Sequence, residues 1–141
     1  MSDARQMRLW IVLAHVRRLR VERRRRILNA ARLEMERSAA NTAAKREAIA
    51  RHQARCSEII AVCTSGNRAA PLWRIALQKH VDERVALVAA LSNALSAEQL
   101  AEAKAAASSH ALQREMRGEE DARARVRRLK AARQKDDDSD D

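Results

Sequence analysis

Apolar residues recur every seven positions from Met7: Met7, Ala14, Val21, Leu28, Met35, Thr42, Ile49, Cys56 and Cys63. All are apolar or nearly so, and nine in succession make a sustained heptad stripe. The pattern predicts one long helix over about residues 4–63, with Ser2 or Asp3 as a possible N-cap. Its companion positions are poorer: Trp10, Arg17, Arg24, Ala31, Ser38, Lys45, His52 and Ile59. Leu9, Leu13, Val16 and Leu19 offer a second stripe, which predicts a shift of register near the start. The seam is expected to be firmest around Ile49, Cys56, Ile59, Ile60 and Cys63.

A second helix is expected over about residues 71–134. Leu77, Val81, Arg84, Val88, Leu91, Leu95 and Glu98 follow 4-3 spacing, and Leu72, Ile75, Val85 and Leu87 widen the apolar face. Beyond Leu100 the chain turns alanine-rich, and Leu112, Met116, Val126 and Leu129 resume the stripe sparsely. Gly118 reads as a tolerated surface glycine. Between the two helices, Gly66 can close a helix in the left-handed conformation, and Pro71 suits a first helical turn. A stop and a start at the midpoint predict that residues 64–70 are a short loop. The expected fold is all-α: one domain over residues 1–135, a long antiparallel two-helix coiled-coil hairpin. Each helix would run on the order of 90 Å at 1.5 Å per residue.

Composition supports this and narrows the rest. The 141 residues include no Phe or Tyr, two Trp, two Gly and one Pro. Of the 65 residues counted as hydrophobic, 30 are Ala, so large side chains for a layered core are scarce. Two Gly exclude a phosphate-binding loop. The four histidines, His15, His52, His80 and His110, are scattered along the chain. His52 and Cys56 share a helix face, but two further metal ligands are not in sight. A two-helix hairpin has no concave site for catalysis. No enzyme activity, cofactor or metal is therefore expected. Cys56 and Cys63 are too far apart on one helix to pair, which suits a reducing, cytoplasmic setting. The apolar run at residues 9–16 is too short to span a bilayer, so no membrane insertion is expected.

The net charge is +10 and unevenly spread. Residues 1–26 carry +7, residues 27–111 +3, residues 112–135 +5 and residues 136–141 −5. The final DDDSDD block is a like-charge run expected to be disordered. A fold at residues 64–70 brings the two basic segments to one end and leaves a nearly neutral end at the bend. The basic runs would attract an acidic protein surface or a phosphate backbone. The lack of stacking aromatics argues against single-strand recognition, and nucleic acid is the less favoured partner. Trp73, just past the bend, either caps the seam or offers an exposed anchor to a partner. Two hairpins could also pair as a four-helix bundle, giving a generic coiled-coil scaffold.

These features together resemble the FliJ/YscO family, the central stalk proteins of flagellar and injectisome type III secretion. Thr64-Ser65-Gly66-Asn67-Arg68, followed by Leu72-Trp73-Arg74-Ile75-Ala76-Leu77-Gln78-Lys79, is similar to that family's Ser-Asn-Arg-Trp region and the apolar helix after it. Here two alanines and Pro71 separate the Asn-Arg pair from the Trp. The resemblance implies a non-enzymatic coupler that binds and activates a hexameric export ATPase. Its joined ends would enter the ATPase ring, as the γ subunit does in rotary ATPases. ATPase contacts would then fall on Arg17, Arg18, Arg20, Arg23, Arg24, Arg25, Arg26, Arg123, Arg127 and Arg128. The bend end would reach the cytoplasmic domain of the export gate through Ile49, Gln53, Cys56, Ile60, Trp73, Leu77 and His80. Export chaperones are further possible partners, and the place of work would be the cytoplasmic base of the secretion apparatus.

Overall fold

The computed structural model describes residues 2–65 and 70–141. Two helices, α1 (Ser2–Thr64) and α2 (Ala70–Ser139), account for almost all of them, and no strand occurs among the described residues. Both are longer than the periodicity predicts. Asp3 falls inside the first turn of α1, where its negative charge complements the exposed N–H groups. At the other end no basic side chain sits in the last turn. The terminal carbonyls are met locally instead. The Thr64 hydroxyl donates to the carbonyls of Ile60 and Ala61 at 3.0 and 3.1 Å. The hydroxyl and the backbone N–H of Ser65 both donate to Val62 O, at 2.7 and 3.2 Å. The stop assigned to Gly66, and most of the loop at 64–70, lie outside the described residues. Pro71 is in the first turn of α2, where its missing N–H costs nothing.

The two helices pack against each other, and their contacts group the chain into two compact units. One holds residues 1–32 and 104–141, the other residues 33–103. In the first, Trp10 meets Arg125 and Arg17 meets Gly118, so α2 runs backwards as α1 advances. In the second, Thr42 meets Ala94 and His52 meets His80, again antiparallel. The expected hairpin pairing therefore holds within each unit.

The heptad stripe from Met7 faces α2 as expected: each of its nine positions is buried or half-buried. The companion stripe faces α2 too, apart from Arg24. The shift of register expected near the start does not occur: of the second stripe Leu13 is half-buried but Leu9, Val16 and Leu19 are exposed, whereas Met7, Trp10, Ala14, Arg17 and Val21 continue the seam. On α2 the companion stripe is displaced by one residue from the expectation. His80, Leu87, Ala94 and Ala101 turn inward, while Val81 and Val88 are exposed and Leu95 is half-buried. At Ala94 and Ala101 size contributes to this. Interaxial distance depends on the side chains at the contact, and alanines let two helices approach closely. Valine on the flank then stays in water.

The best-buried apolar side chains are Val21, Leu28, Ala31, Ala94, Ala101, Ala105 and Ala122. The seam is thus tightest away from the bend. Ile49, Cys56, Ile59 and Cys63 are only half-buried, and Ile60 is exposed. The acidic block also differs from its expectation, because α2 continues through Asp136–Asp138 to Ser139. No Gly or Pro interrupts it there, and Arg133 and Lys135 lie three or four residues before these aspartates, where opposite charges support a helix. The Ser139 hydroxyl donates to Lys135 O at 2.8 Å. Among the described residues, no helix is long and apolar enough to cross a membrane.

Candidate functional site

The unit holding both chain ends carries 20 Lys/Arg and 11 Asp/Glu, a net of +9, whereas the unit of residues 33–103 has 9 and 8, a net of +1. Within the first unit the arginines divide by what they touch. Arg18 pairs with Glu22 at 3.6 Å, Arg123 with Glu119 at 2.8 Å and Arg127 with Glu120 at 3.0 Å. Most of these side chains are largely exposed, and exposed pairs contribute little. Arg20 and Arg23–Arg26 are all exposed and enter no ion pair among the described residues. Arg20, Arg23 and Arg24 line a shallow recess of about 300 Å³, with Ile27 and Glu115. This run offers uncompensated, hydrated guanidinium groups to an anionic surface.

Arg17 behaves otherwise. It is half-buried, and its guanidinium lies over Gly118 of α2, where a Cβ would collide with it. Gly118 is therefore a slot for a long side chain crossing the seam rather than a tolerated surface glycine. Arg17 is drawn away from the outward set by this contact. Arg125 stands 5.9 Å over the Trp10 ring, within range of a cation–π interaction. The Nε atoms of both Arg17 and Arg125 are buried without a hydrogen-bond partner. Arg17 stands on the companion stripe in the sequence, whereas Arg125 is there one Arg among many.

In the other unit, the residues assigned to the bend end split. Gln53, Ile60 and Trp73 are exposed. Ile49, Cys56 and Leu77 are half-buried in the seam, and His80 is buried at 7% exposure. His80 has almost no surface to give a partner, because its heptad position faces α1. The exposed apolar surface here comes instead from Leu72 and Ile75, at 70% and 69%, with Ile60 and Trp73. Trp73 edges a recess of about 480 Å³ with Arg55, Glu58, Ile59, Val62 and His80. Leu72 and Ile75 lie off the seam, so α1 covers neither.

Among the described residues, His52, His80 and Glu83 of this unit form a cluster of metal-capable side chains. The two imidazoles stack with centroids 3.5 Å apart and planes 5° from parallel. His80 Nε2 lies 2.9 Å from the His52 carbonyl oxygen. A carbonyl only accepts, so that nitrogen carries a proton, and in the neutral ring Nδ1 is the free ligand atom. Sequence spacing could not reveal the pair, since its members sit 28 residues apart on different helices.

No protein-family model, curated protein or solved structure gives a significant match to the chain.

Proposed function

We propose that the chain is a stalk component of a type III secretion export apparatus, a non-enzymatic coupler that binds and activates a hexameric export ATPase. The observation that carries this reading is the concentration of charge. Nearly all of the net positive charge belongs to the unit containing both chain ends, and its densest run, Arg23–Arg26, is exposed and unpaired among the described residues. Hydrated arginines of this kind attract an acidic or polar ring lining over a distance set by screening, about 8 Å at physiological salt. Leu19 and Ile27 beside them are part-exposed, at 50% and 37%, so apolar contact can accompany the electrostatic attraction. In this reading the exposed Leu72, Ile75, Ile60 and Trp73 meet the cytoplasmic domain of the export gate, and the chain works at the cytoplasmic base of the apparatus. Exposed apolar residues grouped on a polar surface mark such interfaces.

The test is ATPase stimulation. Replacing Arg23–Arg26 by glutamate is expected to abolish the chain's stimulation of a purified export ATPase while leaving its helical circular dichroism intact. Undiminished stimulation would sink the assignment. Strong binding of the unaltered chain to duplex DNA that collapses with salt would favour a basic nucleic-acid-binding coiled coil in its place.

A further inference from the structure

His52 comes from α1, and His80 and Glu83 come from one face of α2, three residues apart. Both rings are buried, at 8% and 7% exposure, and the other buried residues of this unit are Thr42, Ala94 and Ala101. Burying a polar group without a hydrogen bond is costly, and an apolar pair would pack this seam at lower cost. His80 meets that cost on one side only, through its Nε2–H bond to the His52 carbonyl. Its other ring nitrogen, Nδ1, lies 3.8 Å from Glu83 Oε2. His52 Nε2 is buried with no hydrogen-bond partner and lies 4.0 Å from the same oxygen. Two imidazole nitrogens thus converge on one carboxylate oxygen, too distant for hydrogen bonds. All three donor atoms lie within 4.8 Å of one another.

We propose that His52, His80 and Glu83 bind a divalent transition-metal ion of the zinc class, tying α1 to α2 within this unit. Two imidazoles and a carboxylate suit zinc, cobalt, nickel or copper, whereas magnesium and calcium take oxygen ligands. Tetrahedral coordination at bonds of about 2.0–2.1 Å needs donors about 3.3–3.4 Å apart. The 51% exposed Glu83 side chain closes that gap by a rotamer change. An ion lies in the plane of each ring it binds, so capture also opens the parallel stack. His80 stays in place, because the bond from its Nε2–H to a backbone carbonyl is the usual outer support of a metal-ligating histidine. The rotation falls on His52, and water completes the set. Cys56, four residues after His52 and half-buried as a free thiol, is the competing ligand. This inference does not depend on the secretion reading.

The test is titration of the full untagged chain with zinc by calorimetry and with cobalt by visible absorption. One ion per chain is expected, with the intense visible bands of a tetrahedral cobalt site and a thermal midpoint that rises with zinc. His52→Gln and His80→Gln should each abolish the cobalt bands. Glu83→Gln, at a half-exposed position that leaves the fold intact, should weaken binding by at least the about 10–100-fold that loss of an outer support costs. Cys56→Ser should change nothing. Absence of binding, binding that survives His80→Gln, binding undiminished in Glu83→Gln, or binding lost in Cys56→Ser would each overturn the site. If a glutamine variant loses its helical signal, Glu83→Gln decides alone.

Discussion

In the unit of the chain ends, α1 brings Val21, Leu28 and Ala31 to the seam, and α2 answers with Ala105 and Ala122. In the unit of residues 33–103, the buried positions are Thr42, His52, His80, Ala94 and Ala101. The same two helices therefore meet through different chemistry. Apolar side chains hold the first pair together. In the second, polar groups are buried at the contact, and the Thr42 hydroxyl lies 3.1 Å from Ser38 O and 3.4 Å from Ala94 O on the facing helix. Polar groups in such seams give up adhesion and in return fix which residues face each other. The surfaces differ in charge more than in apolar exposure, since the first unit also leaves Leu9 and Val12 about 60% exposed. The first unit holds nearly all of the net charge, whereas the second leaves Leu72, Ile75 and Val85 about 70% exposed.

The sharpest way to break this comparison is at Leu28. Truncation of a well-packed leucine to alanine should cost about 2–5 kcal/mol in chemical denaturation. A loss under about 1 kcal/mol would mean that apolar packing does not hold this unit.

The slot at Gly118 gives a smaller effect with a more specific signature. Alanine in place of glycine within a helix gains about 1 kcal/mol. In Gly118→Ala alone part of that gain should be lost, because the new Cβ displaces the Arg17 guanidinium. In an Arg17→Ala background the full gain should return. A double-mutant cycle reads the difference, and strict additivity would show that Arg17 does not occupy the slot.

The smallest expected effect is at Val85. Val85→Gln should change stability by no more than about 0.5 kcal/mol, since the side chain already meets water. A larger loss in the isolated chain, growing with protein concentration, would reveal a second copy covering that face.

Much of the fold was legible because its signal is periodic. The repeat from Met7 needs no knowledge of α2, and Pro71 marks its turn locally. The inward face of α2 was not legible in the same way. Hydrophobicity favours Val81 over His80 and Leu95 over Ala94, but the inward face is set by the register in which α2 meets α1, which the α2 sequence alone does not show. The arginines show a similar limit. Arg17 and Arg24 share the companion stripe, yet only Arg17 turns inward, over the glycine opposite. His52 and His80 could be seen singly, yet their meeting is a property of the pairing. The partner to which the exposed surfaces belong is a different matter, since a surface states its chemistry and not the name of its complement.

The alanine-rich seam has a thermal consequence. Unfolding a chain whose contacts are mostly methyl groups hydrates little new hydrocarbon. Its heat-capacity increment should fall below the about 12–15 cal/mol/K per residue of ordinary domains. A small increment flattens the curve of stability against temperature. The protein then has a modest maximum but loses little of it on cooling or moderate warming, and its melting should be broad.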